Sequence, residues 1–194
     1  LVSDAVLPEA AGDCLCRAVI DGPDVPHEPL RTLLLGVISA ASDSIRIMTP
    51  YFLPPKSMLS ALKSACYRGV DVRIILPGRN NLPFVHWATQ HILEDLIQAG
   101  ITIAFQPEPF CHTKLLLIDD AYVHLGSANL YNRSLRLNFE LTLEVFDRAL
   151  NRALTRHFET VMAGSRMATV GELRARSLPA HMRDAFFWLF SPYL

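Results

Sequence analysis

Two hydrophobic periods take turns along the chain, and each switch between them marks a change from strand to helix. Residues 15–20 read as an edge strand, after which Gly22-Pro23 and Pro26 break the chain. Leu30, Leu33, Leu34, Val37, Ile38 and Ala41 then recur at helical spacing. Ser44–Met48 is a strand, a helix runs over Lys56–Tyr67 and stops near Gly69, and 70–76 is the next strand. Val85, Ala88, Ile92, Leu96 and Ala99 mark a further helix, closed by Gly100 before a strand at 101–105. This βαβα rhythm predicts an α/β fold in which a mixed, mostly parallel sheet is flanked by helices on both faces. Strands at 112–119, 122–126 and 139–146 follow. In the last of them Leu141, Leu143 and Val145 alternate with Glu140, Thr142 and Glu144, so one face is expected to be apolar and the other polar. Glu144 is expected at the surface.

Polar chemistry gathers around these last strands. His112 and Lys114 precede the apolar run 115–118, and side chains two apart on a strand share a face. Neutral imidazole, with an ordinary pKa near ~6.5, can attack phosphorus, and its protonated form can release a leaving group. An ammonium beside it neutralises the non-bridging phosphate oxygens. Ser127 and Asn129, after Gly126, add a hydroxyl and an amide that can meet the same oxygens. A histidine before a strand is most often structural. Here Lys114 on the same face reverses that expectation, because a buried lysine without such a task is rarely tolerated. Asp119 has the opposite parity, so its carboxylate should point away from the imidazole and anchor a neighbouring loop. Glu140, on the polar face of its strand, suits a carboxylate that fixes a histidine tautomer. Tyr51 and Phe52, in the loop after a strand, are candidates to line a substrate pocket. Such a site calls for no metal and no cofactor.

His112-x-Lys114-x4-Asp119 with Gly126-Ser127-x-Asn129 resembles the HKD signature of the phospholipase D superfamily. Thr49-Pro50-Tyr51-Phe52-x-Pro54, 68–73, Asn129-x3-Arg133-Ser134, Leu137-Asn138-Phe139-Glu140 and Ser191-Pro192-Tyr193-Leu194 extend the likeness to the C-terminal half of bacterial cardiolipin synthases. The resemblance implies a phospholipase D/nuclease-like half-domain that transfers a phosphatidyl group between phospholipids through a phosphohistidine. His112, Lys114, Asn129, Glu140 and Asp119 would be its catalytic residues, with Ser127, Tyr51 and Phe52 at the substrate. It also implies a second HKD half, from the same protein or a homodimer, because His112-x-Lys114 is the sole HxK in the sequence. The acid matching Glu140 commonly orients the histidine of the opposite half. Phosphatidylglycerol is the expected substrate, at the cytoplasmic side of a bacterial membrane. The alternatives are a phospholipase D-type phosphodiesterase or nuclease working as a homodimer, and a non-catalytic lipid- or protein-binding domain.

Composition narrows these readings. At 194 residues and 51% hydrophobic content the chain can bury one sizeable core. A net charge of -1 gives no basic footprint for nucleic acid, which favours lipid as substrate. Cysteines 14, 16, 66 and 111 follow no disulfide framework and are expected to be reduced, with Cys111 as a small core residue. The remaining histidines lack partners at motif spacing and are expected to be structural. No apolar run is long enough to cross a membrane, and a start at Leu1 suggests a piece of a longer protein. The expected organisation is one half-domain over 1–170 and an amphipathic tail over 171–194, packed on the domain or at a membrane surface. That tail places Arg174, Arg176 and Arg183 ahead of Phe186-Phe187-Trp188-Leu189-Phe190.

Overall fold

Residues 12–193 are described by a computed structural model; residues 1–11 and Leu194, which close the expected domain and tail, lie outside them. The chain begins with β1 (Leu15–Asp21), α1 (Pro29–Ala40), β2 (Ser44–Met48), β3 (Phe52–Leu53) and α2 (Lys56–Tyr67). β4 (Asp71–Pro77), α3 (Pro83–Gln98), β5 (Thr102–Gln106), β6 (Leu115–Ile118), β7 (Tyr122–Gly126) and β8 (Leu130–Tyr131) follow. Last come β9 (Glu140–Phe146), α4 (Arg148–Ala163), β10 (Arg166–Met167), α5 (Val170–Arg174) and α6 (Leu178–Leu189). The expected glycine stops after α2 and α3 are present. Gly69 and Gly100 take φ of 93° and 100°, and the next residues donate back into the helices, Val70 N to Ala65 O and Ile101 N to Leu96 O, each at 3.1 Å.

Among the described residues, eight strands form one mixed sheet in the order β1-β9-β7-β6-β2-β4-β5-β10, with helices on both faces. The parallel share is smaller than the sequence rhythm predicts. β2-β4 and β4-β5 are parallel, whereas β1-β9, β9-β7, β7-β6, β6-β2 and β5-β10 are antiparallel. The connections decide this. α2 and α3 are long enough to return the chain for a parallel partner, but the short turn between Ile118 and Tyr122 can only reverse it.

β6 and the second halves of β2 and β4 are apolar on both faces because both faces are covered. Ile45, Ile47, Ile74, Leu116 and Ile118 pack with Leu30, Leu34, Met58 and Leu62 from α1 and α2. Met48, Ile75, Leu115, Leu117 and Val123 pack on the other side with Phe158 and Met162 of α4. Each fully buried chain of this size contributes about 1.5–3 kcal/mol.

β9 departs from the surface expectation. Its polar side faces inward, with Glu140, Thr142 and Glu144 buried, while Leu141 is 55% and Leu143 38% exposed. α4 lies against β2, β5, β6 and β7, so the apolar side of β9 and β1 extends past its cover. Glu144 is correspondingly no surface residue. It stands in register between Arg17 and His124, accepts from Arg17 Nε at 2.6 Å and from the Tyr122 hydroxyl at 2.9 Å, and is thereby a paired buried carboxylate.

A small second sheet positions loops. β3 and β8 pair in parallel, Phe52 with Leu130 and Leu53 with Tyr131, which brings the segment after β2 beside the segment after β7.

Candidate functional site

Regular pairing of β6 ends at Leu115, opposite Met48 and Leu125, so the strand is shorter than the expected 112–119. His112, Thr113 and Lys114 lie just before it. The pair still meets as parity predicts: Lys114 Nζ lies 3.1 Å from His112 Nδ1 and 3.2 Å from Nε2, and donates to His112 O at 3.1 Å. Burial, and then the Lys114 charge, push the His112 pKa below its usual value, which keeps the ring neutral and nucleophilic near neutrality. Burial also lowers the Lys114 pKa, against the pull of Glu140.

The second wall comes from β7 and β9. A Cβ on Gly126 would stand 2.5 Å from Leu141 O and 2.6 Å from Thr142 Cα, so glycine is required where these strands close on each other. That contact sets Ser127 beside Glu140: Ser127 N donates to Leu141 O at 3.1 Å, Leu141 N donates to Ser127 Oγ at 3.0 Å, and the Ser127 hydroxyl bonds the Glu140 carboxylate. Ser134 bonds the same carboxylate and accepts from Asn129 N at 2.9 Å, and Asn138 Nδ2 donates to it at 3.3 Å. Asn129 is buried, and its Oδ1 has no hydrogen-bond partner among the described residues.

These groups border one open cleft of about 820 Å³, lined by His112, Lys114, Gly126, Ser127, Asn129 and Glu140 with Leu137, Asn138 and Phe139. A neutral nitrogen nucleophile, an ammonium and an amide converging on an open cleft suit a tetrahedral phosphodiester. Glu140 is held by Ser127, Ser134 and Asn138 and makes no bond to His112.

Two sequence candidates stand apart from this cleft. Asp119, at the far end of β6 and with φ of 51°, accepts from Ser42 N, Ser42 Oγ, Asp43 N and Ser44 N at 2.8–3.1 Å. Burial opposes its ionisation, but these bonds outweigh it and hold the carboxyl below the usual range. It clamps the turn before β2 and does not line the cleft; β6 has ended at Ile118, so the positive φ and not strand parity sets its direction. Phe52 is 1% exposed within the core, since β3 turns it under α3, and it is closed to a ligand. Its neighbour Tyr51 does reach the site: the ring meets His112 edge-on at 6.0 Å, and the hydroxyl donates to Asn81 Oδ1 at 2.8 Å. The Phe110 ring also neighbours the imidazole, with centroids 6.0 Å apart.

Sequence reasoning gave no role to Ser134 or Asn138, although both lie in the quoted motif segments. Their signal was the spacing to Glu140, six and two residues. Among the described residues, no cluster of histidine, cysteine, aspartate or glutamate is arranged to hold a metal.

The sequence profile of the cardiolipin synthase PLD-like domain matches residues 34–162. The major cardiolipin synthase ClsA of Bacillus subtilis is 36% identical over 94% of this chain, and cardiolipin synthase 2 of Staphylococcus epidermidis is 37% identical over 96%. The chain spans 38% of the length of each of these relatives. In fold it is similar to Nuc from Salmonella typhimurium, a phospholipase D family member, at TM-score 0.68 and 24% identity, covering 80% of this chain and 99% of that one. Phosphatidylserine synthase of Haemophilus influenzae aligns at TM-score 0.75 and 15% identity, over 93% of this chain and 48% of its own.

Proposed function

Because the chain belongs to the cardiolipin synthase PLD-like domain family, we propose that it is one catalytic half of a cardiolipin synthase-like phosphatidyltransferase. The half-domain spans 1–170 with a tail over 171–194, and the protein works on phospholipid at the cytoplasmic side of a bacterial membrane. The observation that carries the reading is the His112–Lys114 contact facing Asn129 and Ser127 across one cleft.

The phosphodiester of a donor such as phosphatidylglycerol sits between Lys114 and Asn129 and their counterparts in a second half. One histidine attacks phosphorus while the other gives its proton to the departing glycerol oxygen, leaving a phosphatidyl-histidine. The second histidine then removes the proton of the incoming alcohol, whose oxygen takes the phosphatidyl group and frees the first. A second phosphatidylglycerol as acceptor yields cardiolipin; water would yield phosphatidic acid. Glu140, clamped away from His112, is free to orient the histidine of the other half.

A bare apolar strip beside the cleft supports docking of that half. Leu137 and Phe139 border the cleft and continue into Leu141 and Leu143, with Ile20 opposite Leu141 on β1, all of them exposed. This chain spans 38% of the length of the Bacillus subtilis relative, which leaves room for a second half of about the same size.

The test is to feed labelled phosphatidylglycerol to the full-length protein and identify products by mass. Cardiolipin and glycerol are expected, and His112→Ala should abolish them while the melting temperature holds. Cardiolipin formation by folded His112→Ala protein would refute its role, and phosphatidic acid alone would make the protein a hydrolase.

A further inference from the structure

α6 buries one side and leaves the other bare. On the inner side Phe187 meets Trp87 at 5.1 Å, Trp188 meets His91 at 5.6 Å, and buried Asp184 pairs with Arg176 at 2.6 Å. On the outer side Leu178, Met182, Phe186 and Leu189 recur every three or four residues and are 55–72% exposed. Phe190 and Tyr193, also exposed, carry this stripe past the helix end. Scattered apolar surface residues are ordinary, but a continuous row with two aromatic rings in contact, Phe186 and Phe190 at 5.2 Å, marks a binding surface.

Charge and position select its occupant. Lys56 Nζ stands 5.4 Å over the Trp188 ring, and Arg133 is exposed in the loop after β8. Neither is ion-paired with a carboxylate among the described residues, unlike Arg174, Arg176 and Arg183. Asn132 Nδ2 donates to Ser191 O at 2.9 Å, so the end of the stripe is fastened to the loop that begins three residues after Asn129. Exposed aromatic and aliphatic side chains bordered by free cations match the boundary between acyl chains and anionic headgroups.

We propose that the outer stripe of α6, with Phe190 and Tyr193, seats in the surface of an anionic bilayer, Lys56 and Arg133 meet its phosphates, and the cleft is thereby held at the membrane. The proposal rests on the phospholipid reading above and adds the element that delivers the site to its substrate. Docked this way, α6 supplies proximity without touching the reacting atoms.

Two readouts on the full-length protein test it. In vesicles of phosphatidylcholine and phosphatidylglycerol with brominated acyl chains, a tryptophan introduced by Phe186→Trp should lose emission relative to the parent protein. One introduced by Tyr67→Trp, at the end of α2, should not. Equal quenching at the two positions overturns the proposal. In the second readout, Phe186→Ser with Leu189→Ser and Phe190→Ser should lower turnover of bilayer phosphatidylglycerol about tenfold, while turnover of a short-chain, fully dissolved phosphodiester is unchanged. Leu178→Ser with Met182→Ser, at the opposite end of the stripe, should act in the same direction more weakly. Unchanged bilayer turnover, or a halved mass by light scattering, would overturn the proposal, the latter by making the stripe a protein interface. If neither parent nor variant cleaves any phosphodiester while quenching still distinguishes the two positions, the docking surface stands and the catalytic reading falls.

Discussion

The neutral form of His112 is favoured twice over, by partial burial and by the ammonium of Lys114. NMR titration should therefore place its pKa below the usual histidine value, and Lys114→Met should move it upward; an unmoved value would show that the ammonium does not act on the ring. Asp119 is expected to behave as a structural residue. Asp119→Ala removes a carboxylate that accepts from three backbone amides and a hydroxyl, and should cost roughly 1–3 kcal/mol by denaturant unfolding with turnover per folded molecule retained. Its depressed pKa adds stability that is complete above the ordinary carboxyl range and lost as pH falls through the folded-state value. At this scale the sequence was informative where short spacing decides geometry. His112 with Lys114, and Ser127 with Asn129, meet around one cleft, whereas Asp119 lies beyond the other end of β6, where a positive φ rather than strand parity sets its direction. Phe52 was illegible because adjacent residues that are both buried can face different neighbours: the Tyr51 ring lies against His112, while the pairing of β3 with β8 turns Phe52 under α3.

Between elements, the closest constraint is at the β7–β9 contact. Gly126→Ala would drive a methyl into the backbone of Leu141 and Thr142, and should lower the melting temperature and turnover together, since Ser127 moves with that contact. Next to it, burial lowers the pKa of His124 to about 4, against the opposing pull of Glu144. The sign follows from proton counting. Between the unfolded value near 6.5 and the folded value near 4 the unfolded chain holds the extra proton, so stability falls as pH drops across that window. Thermal melts from pH 7 to 4 should show this loss, and His124→Gln should flatten it. Helix ends were legible because Gly69 and Gly100 supply a backbone conformation other residues avoid. The exposure of β9 was not, because alternation separates two faces without saying which a helix will cover. Here the charged face is inside, with Glu144 paired to Arg17 and Tyr122 and Glu140 to Ser127, Ser134 and Asn138, and the apolar face is left open.

For the whole molecule, the βαβα pattern gave the helices on both faces, while the preponderance of antiparallel pairs came from the short connections of the second half of the chain. Under the proposed function, one imidazole, one ammonium and a carboxylate held apart from that imidazole would amount to half of an acid–base pair. The chain matches nearly all of Nuc but about half of the Haemophilus phosphatidylserine synthase, as a unit that recurs singly and within longer chains would. The most direct test is to separate the isolated chain by size, weigh each fraction by light scattering, and assay phosphodiester cleavage in EDTA. Turnover is predicted in fractions that hold two halves, undiminished by the chelator, and none in the monomer. Turnover by a strict monomer, or its loss on chelation, would contradict the two-histidine mechanism.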